Sequence, residues 1–177
     1  GEYISFANCG LPYHVGGVIK ERDNLLLQTV EGMHAQYDLD IRNFSEVTKI
    51  NPETKSVTIY HHQTKETYEE RYDQLILSTG AKAIVPPITG LATATNVFSL
   101  RNIPDMDQIQ AYIKANNVQT ATVIGGGFIG LEMMENLVEL GIQVQLVEMA
   151  PQVMPNVDFE MAQQIHQQIN LHGVNLI

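Results

Sequence analysis

The 177-residue sequence contains a single cysteine, no apolar run of membrane-spanning length, no long block of like charge, and half as many basic as acidic residues. Each scarcity excludes something. One cysteine, Cys9, cannot form an internal disulfide, so this is not a disulfide scaffold. The absence of about 20 consecutive apolar residues removes any transmembrane-helix signal, and no signal-peptide pattern opens the chain. A reducing, cytoplasmic setting away from membranes is therefore expected. Ten Lys and Arg against twenty Asp and Glu give a net charge of −10. That balance argues against nucleic acid as partner, because duplex binding is dominated by phosphate neutralisation with Lys and Arg. Phosphates of a small cofactor can still bind through backbone amides. The 44% hydrophobic and 17% charged composition is ordinary for a soluble protein, and the length allows one large domain or two small ones.

What is present centres on Thr120 to Glu148, TATVIGGGFIGLEMMENLVELGIQVQLVE. The apolar run Ala121–Ile124 meets Gly125-Gly126-Gly127 and then a helical pattern with Ile129, Met133, Leu137 and Leu140 at three- or four-residue spacing. Gly141 stops the helix, and a second apolar run, Val144–Val147, ends on Glu148. Strand, glycine turn, helix and strand make one βαβ unit. Gly125, Gly127 and Gly130 supply its G-x-G-x-x-G spacing. The first permits the tight turn, the second lets a pyrophosphate approach the backbone, and the third lets helix pack on strand. A diphosphate would sit on free N–H groups at the positive end of the helix. Glu148 lies 18 residues beyond Gly130, where a carboxylate accepts hydrogen bonds from an adenosine ribose and repels a 2′-phosphate. NADH is thereby favoured over NADPH.

Residues 3–19, YISFANCGLPYHVGGVI, form the second informative stretch. Asn8 is expected to cap a helix whose first turn holds Cys9, Gly10, Leu11 and Pro12. A thiol at a helix N-terminus is biased toward thiolate, which makes Cys9 a candidate nucleophile. The competing reading is a packed, inert cysteine, the more common fate of a free thiol.

Between these stretches, Leu25–Val30 and Asp40–Tyr60 read as short β-type runs with a turn at Asn51-Pro52. They form a small antiparallel meander that feeds a buried strand, Leu75-Ile76-Leu77, ended by Ser78-Thr79-Gly80. Adjacent His61 and His62 would point to opposite faces of a strand, so no metal is assigned. Pro86-Pro87 and Gly90 read as a stiff linker. Met106, Ile109 and Ile113 give a helix over 105–116. Asp158 is expected to cap a last helix running through His172, with Met161, Ile165, Ile169 and His172 on one face. His166 and His172 show no metal-ligand pattern.

S-F-A-N-C-G-L-P-Y followed by G-G, with the later S-T-G and G-G-G-F-I-G-L-E segments, resembles the single-cysteine branch of the pyridine nucleotide-disulfide oxidoreductases. That branch includes coenzyme A disulfide reductases, NADH oxidases and peroxidases, and NADH-dependent persulfide reductases. The resemblance implies a Rossmann-like FAD/NAD(P)-binding α/β fold in three layers, with two incomplete domains and a small antiparallel β meander. Residues 1–102 would be part of an FAD-binding domain lacking its first βαβ, and residues 103–177 part of an NAD(P)-binding domain. In such a family a hydride passes from NAD(P)H to FAD and electrons then reach the cysteine, here Cys9. The resemblance places Ser5 and Asn8 beside the thiol substrate. It places Ala7, Cys9, Val47, Ser78, Thr79, Gly80 and Arg101 at FAD, with Ser78 standing where alanine is usual. Gly125, Gly127, Phe128, Ile129, Gly130, Glu132 and Glu148 fall at NAD, with Phe128 as an aromatic gate. An exposed Phe128, a solvated Glu132 and a surface Arg101 are the competing readings of three of these.

The implied activity is FAD-dependent reduction of a small disulfide or persulfide, with a coenzyme A-type thiol as possible substrate. One rival is an NADH oxidase or peroxidase working through a Cys9 sulfenic acid. Another is a non-catalytic NAD-binding, redox-sensing module. Both ends of the sequence read as cut, so the active form expected is a longer, homodimeric parent, with this stretch binding FAD weakly or not at all.

Overall fold

The computed structural model describes Gly1–Ile177, apart from the side chain of Ala92. In chain order the elements are β1 (Ser5–Phe6), α1 (Leu11–Val15), β2 (Leu26–Gln28), α2 (Val30–Tyr37), β3 (Ser45–Asn51), β4 (Ser56–His61), β5 (Thr67–Arg71), α3 (Ile103–Asn116), β6 (Thr120–Ile124), α4 (Phe128–Glu139), β7 (Gln143–Val147), α5 (Phe159–Leu171) and β8 (Asn175–Leu176). Short 3-10 turns cover Asn8–Gly10, Arg22–Leu25 and Leu91–Thr93. The chain divides into two compact units, one of Gly1–Phe6 with Leu26–Lys82, the other of Ala7–Leu25 with Ala83–Ile177.

The first unit is the expected meander. Strands β3, β4 and β5 pair antiparallel in that order, with Ile50 opposite Val57 and Ile59 opposite Tyr68. The β3–β4 turn closes through the Lys55 N–H on the Pro52 carbonyl, with Lys55 at φ 48°. Arg42 ties the sheet edge by donating to Asp40 and to Glu70 while lying over the Tyr68 ring. The expected strand at Leu75–Leu77 does not form: the three residues are irregular and exposed, Ile76 at 88%. A buried strand needs hydrogen-bonded neighbours on its edges, and none of the described strands pairs with this run. Helix α2 went unread in the sequence. Thr29 caps it by accepting from the Gly32 N–H, Asp38 ends it at φ 54°, and none of its residues is buried.

The second unit contains the βαβ. Strands β6, β7 and β8 form a parallel sheet in that order, with Ala121 opposite Val144 and Val123 opposite Leu146. Helix α4 packs on β6 and β7, α5 on β8, and α1 against α3 and α4. The core gathers Leu11, Val15, Ile103, Met106, Met133, Leu137, Val144, Leu146 and Ile169, all under 9% exposed. Gly141, at φ 78°, ends the polypeptide turn after α4 as its position predicts. At the two ends of the expected stripe, Ile129 and Leu140 are exposed rather than buried. Helix α1 comes close to α4 at Gly16, where an added Cβ would strike the fully buried Asn136 side chain.

Three helix details differ from expectation. Helix α1 starts at Leu11 behind Gly10, and Asn8 caps nothing; it opens a separate 3-10 turn. Asp158 stands at the N-cap position of α5 without a side-chain cap bond. The buried stripe of α5 runs through Ala162 and Ile169, with Met161 and His172 exposed. Ala162 is fully buried while Met161, the bulkier residue that apolar spacing favours, is 60% exposed.

Candidate functional site

The glycine turn between β6 and α4 has a different constraint at each position. Gly125 sits at φ 106°, a region that side chains rarely enter. A Cβ on Gly130 would collide with the Gly125 carbonyl oxygen, so only glycine lets the first turn of α4 lie this close to the strand end. A Cβ on Gly127 would meet nothing within 4 Å; here the space above the backbone is open. Gly127 is the N-cap of α4, no side chain caps the helix, and its first turn carries no acidic residue. The N–H groups of that turn therefore have no intrahelical partner and form the positive end of the helix dipole.

Glu148 closes one side of the turn. Its Oε1 accepts from the Ala150 N–H at 2.7 Å and its Oε2 from the Gly126 N–H at 2.6 Å. These two backbone donors, Ala150 first, hold the carboxyl below its ordinary range. The acid is thus a fixed anion in contact with the glycine loop. The loop after β7 closes the other side: the Met154 N–H donates to the Gly126 carbonyl at 2.8 Å, and Val153, fully buried, lies against Gly126. Sequence reasoning missed Val153 and Met154. Their only signal was their place between Pro151 and Pro155, which read simply as a loop.

Phe128 and Ile129 begin α4 and are 64% and 56% exposed. Glu132, one turn on, is half-buried, and its backbone carbonyl accepts from Asn136. The structure therefore gathers Gly125, Gly127, Phe128, Ile129, Gly130 and Glu148 at one helix start. Exposed aromatic and aliphatic side chains stand beside open N–H donors there.

A second group forms around Cys9. The thiol is free and exposed on the 3-10 turn that leads into α1. Its neighbour Ala7 anchors the turn by donating to the Leu25 carbonyl at 2.8 Å. Asn8 turns its Oδ1 toward Arg101, whose Nη1 donates at 3.2 Å. Arg101 is itself fixed at the start of α3, where Asp105 accepts from the N–H groups of Arg101 and Asn102 and Asn102 caps Asp105 in return. Asn8, which precedes Cys9, and Arg101, 93 positions further on, meet here.

The remaining expected site residues belong to the other compact unit. Ser5 pairs with Gln28 on β1, and Val47, 53% exposed, lies opposite Ile59 on β3. Ser78, Thr79 and Gly80 are exposed and irregular, with Gly80 at φ 70°.

A parallel βαβ whose glycine turn leaves a helix start uncapped, with an acid at the end of the second strand, defines a dinucleotide-binding protein of the Rossmann type. The chain belongs to the pyridine nucleotide-disulphide oxidoreductase family, whose model it matches over residues 1–177. It is 39% identical over 163 residues to a coenzyme A disulfide reductase of Staphylococcus aureus strain JH9, covering 92% of this chain and 36% of that protein. Among solved structures it resembles reduced Bacillus anthracis CoADR-RHD, with a TM-score of 0.98 and 60% identity over 100% of this chain and 32% of that one. It also resembles an NAD-dependent persulfide reductase from A. fulgidus, with a TM-score of 0.93 and 34% identity over 100% of this chain and 33% of that one. The chain spans about a third of the length of these relatives.

Proposed function

We propose that the protein, at its full natural length, is an FAD-dependent NAD(P)H oxidoreductase that reduces a small disulfide or persulfide through Cys9. The observation that carries this reading is the uncapped start of α4 at Gly127, with an ionised Glu148 fixed beside it. Open donors and clear space fit a diphosphate, and the carboxylate fits ribose hydroxyls while opposing a 2′-phosphate, so NADH is the preferred donor. Gly125, Gly127, Phe128, Ile129, Gly130, Glu132 and Glu148 would hold that dinucleotide. Ala7, Cys9, Val47, Ser78, Thr79, Gly80 and Arg101 are assigned to the flavin, and Ser5 and Asn8 to the thiol substrate. This places the functional boundary near residue 102, following the motifs rather than the two compact units. Held there, a nicotinamide and a flavin would provide the electron pair that reduces sulfur.

The chain's own residues do the rest. Cys9 Sγ attacks one sulfur of the substrate, forming a mixed disulfide and releasing the other half as a thiol. Asn8 precedes Cys9 in the chain, and Arg101 donates to its carboxamide oxygen. The likeness to proteins named for coenzyme A disulfide and persulfide reduction supports a coenzyme A-type thiol or persulfide as substrate.

Replacing Cys9 by Ser in the full-length protein tests the reading. Reduction of coenzyme A disulfide by NADH is expected to fall by about a thousandfold or more. Unchanged disulfide turnover would refute it, and a rate of NADH oxidation left unchanged by the substitution would favour a flavin-only reaction. For the 177-residue chain alone, the expected flavin absorbance after purification is weak or absent.

A further inference from the structure

We propose that His166, on α5, is a positioning residue for dinucleotide binding, acting through the loop between β7 and α5 on the Gly126–Gly127 peptide. The inference rests on the dinucleotide reading of the glycine turn. The backbone N–H of Val153 lies 3.1 Å from His166 Nε2. A backbone N–H can only donate, so Nε2 is the acceptor and the ring proton of the neutral imidazole sits on Nδ1. Val153 is fully buried against Gly126, and the next residue, Met154, donates its N–H to the Gly126 carbonyl at 2.8 Å. Met154 holds φ 49°, a conformation that a long side chain keeps only where its surroundings impose it. Gln152 closes the same loop by donating to the Val157 carbonyl at 2.9 Å.

The Gly126 carbonyl and the Gly127 N–H belong to one planar peptide and point in opposite directions. Holding the carbonyl therefore sets the aim of the N–H at the point where the diphosphate is expected. The Gly126 N–H is already taken by Glu148, so the Gly127 N–H begins the row of donors left on the turn. His166 fixes Val153, Val153 and Met154 fix the Gly126 carbonyl, and the carbonyl fixes that first donor.

The test is the dissociation constant of the full-length protein for ADP-ribose, which reads the adenine and diphosphate half of the site without any redox turnover. His166→Leu, which removes the acceptor, is expected to weaken ADP-ribose binding about tenfold. His166→Gln places an acceptor oxygen where Nε2 was and is expected to restore binding to within about twofold, since one hydrogen bond is regained. Unchanged binding in His166→Leu, or equal weakening in both variants, would overturn the proposal. Gly127→Asp separates the two readings, because its carboxylate caps α4 and occupies the diphosphate position. If Gly127→Asp still binds ADP-ribose normally, the dinucleotide reading itself is wrong. If Gly127→Asp loses binding while His166→Leu keeps it, only the role of His166 fails.

Discussion

The two compact units solve burial differently. In the unit that holds β6–β8, sheet and helices bury aliphatic side chains against one another, and Ile103, Met106, Leu146 and Val153 have no exposed surface. In the meander unit, the buried apolar residues among those described are Val57 and Ile59, both on the central strand β4. Exposed Val47, Ile50, Leu75, Ile76 and Leu77 lie in the same unit. A three-stranded sheet with one partly covered face has little apolar area to remove from water, whereas a βαβ with helices packed on its sheet closes its own core. Stability should therefore concentrate around the glycine turn between β6 and α4. The meander should be the softer part.

The sharpest way to break this comparison is at the centre of the parallel sheet. Leu146→Ala should destabilise by about 3 to 4 kcal/mol, since a fully buried leucine leaves a cavity, as read by urea unfolding. Gly130→Ala comes next, at about 2 to 3 kcal/mol, because the new methyl must displace the Gly125 carbonyl; nucleotide affinity should fall with it. The matching change in the meander, Val57→Ala, should cost about 1 to 2 kcal/mol, since valine loses less apolar surface than leucine and is 8% exposed already. Equal losses in Leu146→Ala and Val57→Ala would erase the contrast, and slower hydrogen exchange in β3–β5 than in β6–β8 would reverse it. Smallest is Asp107→Asn, about 0.5 to 1 kcal/mol. It breaks a bidentate, partly exposed pair in which Arg22 Nε and Nη2 donate to Asp107 at 2.9 and 2.7 Å.

The turn also carries a pH signature. The Glu148 carboxyl is depressed in the folded state, so its ionised form is the one folding favours. Its contribution is fully present above the ordinary carboxyl value of 4.5 and is lost as pH falls through the lower folded value. Glu148→Gln should flatten stability against pH in that acid range, as followed by thermal unfolding between about pH 2 and 5.

Much of the turn was legible in the sequence. Glycine spacing, the apolar runs and a terminal acid are local signals, and each corresponds to a backbone constraint at Gly125, Gly130 or Glu148. What escaped depends on tertiary placement. The bond between Asn8 and Arg101 spans 93 positions, and no periodicity encodes it. The strap from Val153 and Met154 to Gly126 comes from a loop whose composition marks only a break between elements. Leu75–Leu77 misled for a related reason: three consecutive aliphatics satisfy the pattern of a buried strand, but pattern supplies no neighbouring strand to pair with. In α5 the buried stripe follows a small residue, Ala162, which hydrophobicity ranks below Met161.

Asp105 serves two ends at once. The carboxylate that starts α3 also holds the Arg101 backbone, and the Arg101 guanidinium reaches the residue preceding the thiol. The setting of the residue before Cys9 is thus inherited from a helix origin, the way a hinge pin sets the angle of a door.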